Sequence, residues 1–207
     1  MNRVLYIKSS PRGAASRTLS ISGVLIDKIK ASYPEAVIDE VDLFTEKLPE
    51  LHVDTVNGKY ILMGGRDIPD EMKGAWREVE FQINRFLASD TIIIAAPMWN
   101  FCVPYILKKY MDIIFQPRYL YKYTPEGPIG LASGKRMIVV TTRGGDYGPG
   151  SPAAAMDLQE PYIRAAFGFI GIKDIKFINA QPMDALGPDV MRQKFEEAVA
   201  EVKKLEI

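Results

Sequence analysis

Apolar residues fall along this chain in two alternating patterns. Five runs of strand length, Arg3 to Lys8, Val37 to Leu43, Thr91 to Ala96, Arg136 to Thr141 and Ile175 to Asn179, are separated by stretches in which apolar residues recur every three or four positions. The first such stretch carries Ile21, Val24, Leu25 and Ile29 and should end before Pro34. The second, Glu71 to Leu87, has Trp76, Val79, Ile83, Phe86 and Leu87 as its stripe. The third opens at Pro104, with Val103, Ile106, Leu107, Tyr110, Met111 and Ile114 on one face and Lys108, Lys109 and Asp112 on the other. The fourth runs from about Ala153 to Phe169, and Pro188 opens the last, with Phe195, Ala198, Val199 and Val202 buried.

Strands alternating with helices predict an α/β fold, a parallel sheet with helices on both faces. The runs at 91–96 and 136–141 are the most apolar, as buried central strands should be, whereas 37–43 and 173–179 carry charges that suit edges. That distribution favours strand order 2-1-3-4-5, the order of a flavodoxin-like three-layer sandwich. Residues 44 to 70, broken by Pro49, Gly58, Gly64, Gly65 and Pro69, read as a surface excursion from one domain spanning 1–207, with a helical turn or two at Val56 to Met63. Arg118 to Gly127 holds Tyr119, Tyr121 and Tyr123 and is extended, turning at Pro125 to Gly127.

Composition narrows the function by exclusion. The 207 residues are 47% apolar and 25% charged, with 26 basic and 26 acidic side chains. A zero net charge offers no global attraction for nucleic acid or an anionic membrane, and no apolar run is long enough to span a bilayer. Cys102 and His52 are each the sole residue of their type, so neither an internal disulfide nor a Cys/His metal site can form. The amino terminus enters a strand directly, without the shape of a signal peptide, so a cytoplasmic protein is expected.

In the 2-1-3-4-5 order, strands one, three and four lie side by side, and their carboxyl ends open onto one crevice, the usual ligand position in open α/β sheets. The first turn, Ser9 to Thr18, is rich in hydroxyls and lacks both a G-x-G-x-x-G and a P-loop ending. Ser10, Ser16 and Thr18, with free amides at a helix start and charge from Arg17, suit a terminal phosphate; Ser16 equally reads as a plain helix cap. The second turn follows Pro97, where the strand must stop, and offers Met98, Trp99 and Phe101 as flat apolar contacts with Asn100 for ring edges. It also reads as a hydrophobic plug. The third, Thr142-Arg143-Gly144-Gly145, lets backbone amides approach a ligand, or simply ends a strand. Phosphate chemistry at one end of the crevice and ring chemistry at the other favour a flavin mononucleotide. A serine hydrolase is disfavoured by the absence of G-x-S-x-G and by the single histidine.

At these residues the chain resembles the FMN-dependent NADH-azoreductases, flavodoxin-like quinone and azo-dye reductases. The resemblance rests on Val4-Leu-Tyr-Ile-Lys-Ser-Ser10, Ser16-Arg-Thr18, Ile94-Ala-Ala-Pro-Met-Trp-Asn-Phe101, Leu107-Lys-Lys-Tyr-Met-Asp112, Tyr123-Thr-x-x-Gly-Pro128, Thr142-Arg-Gly-Gly145 and Gly168-Phe-Ile-Gly171, in that order along nearly the whole chain. It implies an FMN phosphate held by Ser10 and Ser16 to Thr18, and an isoalloxazine against Pro97 to Phe101 and Thr142 to Gly145. It also implies a homodimer whose sites are completed across the interface, with Tyr121 at the position that covers the flavin. Where Tyr121 stands the family usually has phenylalanine; Trp99 and Thr142 replace a usual tyrosine and serine. The activity implied is ping-pong transfer of two electrons from NADH or NADPH through FMN to a quinone or azo compound. No metal and no dedicated protein acid is implied. Residues 50 to 70 match poorly, so the acceptor preference does not carry over. The tyrosines at 119, 121 and 123 read either as a pocket wall or as a dimer-face stripe, and Cys102 as a small buried residue. Two rival readings are an electron-carrying flavodoxin, against which the zero net charge argues, and a flavin-free regulatory domain.

Overall fold

The computed structural model describes residues 1–207. Five parallel strands form the sheet: β1 (Arg3–Lys8), β2 (Val37–Asp42), β3 (Thr91–Ala95), β6 (Arg136–Thr142) and β7 (Asp174–Ala180), in the spatial order β2-β1-β3-β6-β7. Counting only these strands, that is 2-1-3-4-5. The register pairs Val4 with Thr91 and Thr91 with Arg136, so β1, β3 and β6 end level with one another. Six helices complete the layers: α1 (Arg17–Ser32), α2 (Val53–Met63), α3 (Lys73–Ala88), α4 (Tyr105–Ile114), α5 (Gln159–Phe169) and α6 (Pro188–Lys204). None is long and apolar enough to cross a membrane.

Alternation along the strands divides the core in two. Leu5, Ile7, Ile92, Ile94, Met137 and Val139 face α3, α4 and α5 and belong to a cluster of 31 buried residues. Val4, Tyr6, Ile93, Ala95, Ile138 and Val140 face α1 and α6 in a cluster of 15. Every residue of β3 is buried, which explains its unbroken apolar run: a strand covered on both faces cannot alternate with polar residues. At the sheet edge, Asp39 of β2 is held by Arg85 of α3, whose Nε lies 3.0 Å away, and the ion pair pulls the carboxyl below its ordinary pKa.

Three segments differ from the sequence expectation. The 44–70 excursion contains a full helix, α2, and is not merely superficial, since Leu48, Leu62 and Ile68 enter the larger core. Its sequence hides this because Gly58 sits mid-helix; the glycine is there for contact, as a Cβ would come 2.1 Å from the Trp76 indole nitrogen. The tyrosine segment is an antiparallel hairpin, β4 (Tyr121–Thr124) with β5 (Gly127–Gly130). Its second strand leaves no mark in the sequence, because two of its four residues are glycine and a third is proline. Gly130 lies so close to the Ile170–Gly171 backbone that a Cβ would fall 2.2 Å from it. The helix expected from Ala153 begins only at Gln159, after a separate 3-10 turn at Ala154–Met156. Asp157 is the reason: its Oδ1 accepts the amides of Gln159 and Glu160 at 3.0 and 3.1 Å, fixing the start of α5 there.

Alanine at position 58 should gain about 1 kcal/mol of helix propensity but must push the Trp76 ring aside, an overpacking cost of about 1–3 kcal/mol. Gly58→Ala is therefore expected to lower the melting temperature by a few degrees in a thermal unfolding scan, and a rise would show that α2 moves freely against α3.

Candidate functional site

The three turns converge because the strands they follow are adjacent and parallel. After β1, Ser9 donates its amide and its hydroxyl to the Ala95 carbonyl, at 3.0 and 2.9 Å, so the first turn leaves alongside β3. Past β3, the Met98 amide reaches the Thr142 carbonyl at 3.0 Å, tying the second turn to the third. From α1, Thr18 Oγ1 meets Thr142 Oγ1 at 2.5 Å, linking the first turn to the third.

Between them lies a cavity of about 150 Å³. The first turn contributes Ser10, Arg12 and Arg17 to its lining, the second Pro97, Met98 and Trp99, and the third Thr142, Arg143 and Gly144; Met183 and Asp184 close the side beyond β7. The Ser10 side chain is buried, and its hydroxyl makes no hydrogen bond within the chain. Neither do the amides of Arg17 and Thr18, which open the 16-residue helix α1. Free first-turn amides on such a helix carry the equivalent of roughly half a positive charge, and with the Ser10 hydroxyl they make a donor set for an anion. Ser16 is the cap: its hydroxyl accepts the Leu19 amide at 3.3 Å. Arg17 is drawn aside, donating to the Met183 carbonyl at 2.7 Å and pairing with Asp184 at 2.6 Å. It forms a wall of the cavity, tethered to the loop after β7.

The second turn is a two-residue hairpin closed by Trp99 and Cys102, whose amides and carbonyls exchange hydrogen bonds of 2.9 and 3.0 Å. Its two central residues, Asn100 and Phe101, have φ of 46° and 70°. Left-handed backbone is tolerable for asparagine but strained for phenylalanine, and such strain gathers where a site demands a particular chain path. Trp99 packs against Phe44 and Tyr105, with ring centroids 6.1 and 6.3 Å away. Asn100 borders a neighbouring cavity of about 450 Å³ with Tyr105, Lys108 and Tyr162, and Phe101 meets Tyr147 edge to face at 6.2 Å.

In the third turn the amides of Gly144 and Gly145 make no hydrogen bond within the chain. Gly144 is held through its carbonyl, which accepts the amides of Asp184 and Ala185, both at 3.0 Å; Gly145 lies against the Tyr147 ring. Arg143 borders the cavity, and its side chain serves the fold. Its side chain is 1% exposed and turns inward, donating to Thr141 Oγ1 at 3.1 Å and to Asp157 Oδ2 at 2.8 Å. Its Nε and Nη1 are spent on the protein, while the buried Nη2 has no hydrogen-bond partner and lies 3.8 Å from Glu160 Oε2.

Tyr121 is not brought to this cavity in its own chain. It is buried against Phe169, at 4.9 Å, and Tyr123, at 5.7 Å, and lines a different hollow with Thr55, Tyr60 and Gln116. Tyr119 precedes the strand and bonds to Glu80, so the three tyrosines do not share one face. Burial and the neighbouring Glu80 carboxylate both push its hydroxyl pKa up. Cys102 is partly buried, with Sγ 3.7 Å from the Leu158 carbonyl.

Arg12, Met183 and Asp184 were missed by sequence reasoning. The signal for the last two was topological: they follow the strand beside β6, so their loop had to flank the third turn.

Comparison with known proteins bears on this architecture. A family model described as the flavodoxin-like fold matches residues 2–205. Over 205 residues the chain is 35% identical to the FMN-dependent NADH:quinone oxidoreductase of Nitratidesulfovibrio vulgaris (strain DP4), covering 99% of this chain and 98% of that protein. Over 199 residues it is 39% identical to the enzyme of the same name from Ralstonia nicotianae, covering 96% and 94%. The chain belongs to the flavodoxin-like FMN-dependent NADH:quinone oxidoreductase family. Among solved structures of such proteins, a Bacillus anthracis FMN-dependent NADH-azoreductase in complex with FMN superposes with a TM-score of 0.85 at 25% identity, covering 99% of both chains. Another azoreductase, from Bacillus anthracis strain Sterne, gives 0.86 at 28% identity over 99% of this chain and all of that one.

Glycine at position 101 would release about 1–2 kcal/mol of left-handed strain and cost about 0.4–1 kcal/mol in added freedom of the unfolded chain. Phe101→Gly is expected to hold or slightly raise the melting temperature. A fall of more than about 5 °C, worth over 1 kcal/mol in a chain of this size, would mean that the ring itself supports the turn.

Proposed function

We propose that this protein is an FMN-dependent oxidoreductase that passes two electrons from NADH to quinones and azo compounds, with the cofactor in the cavity formed by the three turns. The observation that carries the assignment of the site is the pairing of free donors and flat apolar surface in one cavity. Ser10 and Arg17 line it, and the Ser10 hydroxyl and the amides of Arg17 and the adjoining Thr18 make no hydrogen bond within the chain. Met98 and Trp99 line it too, with Gly144, whose amide is also unbonded. A phosphate monoester fits the first group and a flat ring system the second, so the residues present fit FMN.

Bound FMN supplies a two-electron relay between a nicotinamide and a second acceptor, and the protein supplies orientation and polarity. Ser10 and the start of α1 would hold its phosphate. Met98 and Trp99 would keep water from the ring system. The unbonded amides of Gly144 and Gly145 would offer it a fixed pair of dipoles that needs no reorganisation.

Tyr121 enters this reading only through a second copy. It lies beside α2, whose Val53 and Tyr60 are 73% and 66% exposed, and next to Tyr123 at 57%. We assign this apolar face to a homodimer, in which Tyr121, 5% exposed in its own chain, would meet the partner's cavity only through the hollow it lines with Tyr60 and Gln116. A dimer mass in analytical ultracentrifugation is expected, and a monomer at micromolar concentration would remove that role from Tyr121.

Purified protein loaded with FMN should oxidise NADH with a quinone by ping-pong kinetics, and absence of flavin uptake would refute the assignment. Losing a hydrogen bond to a charged group costs about 1.5–3 kcal/mol, so Ser10→Ala should weaken FMN binding roughly 10- to 100-fold in a fluorescence-quenching titration. Riboflavin, which lacks the phosphate, should bind both forms alike; an equal loss for riboflavin would place the phosphate elsewhere.

A further inference from the structure

The start of α5 touches two of the three turns, although it lines none of the cavity. The Leu158 amide donates to the Phe101 carbonyl at 3.0 Å. Gln159, wholly buried, donates through Nε2 to the carbonyls of Ala96 and Pro97 at 3.1 and 3.2 Å. These bonds hold both ends of the strained segment that contains Asn100 and Phe101. Asp157 reaches the other way. One carboxylate oxygen caps α5 and the second accepts from the Arg143 guanidinium at 2.8 Å, immediately before Gly144. Glu160 stands 3.8 Å from the same guanidinium, and its other partners, Arg164 and Asn179, fix it in turn.

We propose that residues 157–159 form a bracket in which Gln159 and Arg143 are positioning residues. They fix the ring-contacting turn and the Gly144–Gly145 amides in one relative geometry, and thereby set how strongly the site prefers reduced over oxidised flavin. The flavin part rests on the functional reading above. Two features make these residues more than ordinary core packing. Gln159 spends its amide on carbonyls at the very point where β3 becomes the turn, adding to the backbone bonds Ala96–Val140, Met98–Thr142 and Leu158–Phe101 that tie this stretch sideways. Arg143 places a fully buried charge next to the two free amides, and a buried ion whose partner is removed cannot be rehydrated without moving its backbone. Donors aimed at developing charge act only if they are held in place beforehand. The bracket is the device that holds them.

The test uses the full-length protein with Gln159→Met, which keeps volume and removes both hydrogen bonds, and Asp157→Asn, which keeps the cap oxygen and removes the nearer of the two carboxylates facing Arg143. Gly58→Ala, remote from the bracket, serves as the control for lost stability alone. Amide hydrogen exchange on the FMN-free protein reads the turns directly. In both bracket variants, exchange at the hydrogen-bonded amides of Trp99, Cys102, Arg143 and Asp184 should accelerate at least tenfold, while the control leaves these sites unchanged relative to the rest of the protein. Anaerobic titration with reduced and oxidised FMN reads the flavin. The ratio of the two affinities should shift about tenfold towards the oxidised form, which is a midpoint about 30 mV more negative for a two-electron couple. Unchanged exchange at the four amides would overturn the bracket. Accelerated exchange with an unchanged affinity ratio would overturn its effect on the flavin and leave Gln159 and Arg143 as fold-stabilising residues only. Failure of the wild-type protein to take up FMN at all would instead count against the functional reading, and the exchange measurement would still decide the bracket.

Discussion

The parallel ladder joining β1, β3 and β6 is the constraint on which everything else depends. In a parallel sheet all strands end at the same rim, and the Val4–Thr91–Arg136 register keeps those ends level. The chain must then make three unrelated turns within a few ångströms of one another. A hydroxyl-rich loop, a strained aromatic turn and a pair of glycines become one cavity without any residue of one turn specifying the others. Burial of β3 on both faces makes this arrangement hard to undo, because a strand with five buried residues cannot slip register without exposing them or burying charge.

The rim is then divided by chemistry. On the α1 side the resource is a helix start, where several amides lack intrahelical partners and one of several nearby hydroxyls, Ser16, serves as cap. Ser10 remains unspent. On the β6 side the resource is bare backbone, with Gly144 tied down through its carbonyl so that its amide stays free. Between them the turn after Pro97 accepts backbone strain at Phe101. The protein can sustain it because both ends of that turn are hydrogen-bonded elsewhere, to Thr142 on one side and to the start of α5 on the other.

Arg143 shows how the same residue type reads differently in one and three dimensions. Next to two glycines at a strand end, an arginine reads only as part of a turn whose backbone can approach a ligand. In the fold it faces the gap between β6 and α5, where Asp157 and Glu160 are the only carboxylates within 4 Å. A cation so placed lowers its energy by pairing inside the protein, and its influence on a ligand passes through the backbone it holds.

What the sequence determined was everything written in periodicity and backbone chemistry: the five strands, their order, the prolines that end β3 and open α4, and the three turns that had to share a rim. These are local properties, or follow from which strands are apolar on both faces. Tertiary structure alone decided which donors remain free. Ser10 and Ser16 are both serines of one loop, and only the path of the chain makes one a cap and leaves the other open. The same holds for α2, whose central glycine weakens the helical pattern until Trp76 is seen against it, and for β5, whose glycines admit the close approach of the 170–171 backbone. Tyr121 marks the limit: a position in a motif names a role, but the fold of its own chain buries that side chain away from the cavity.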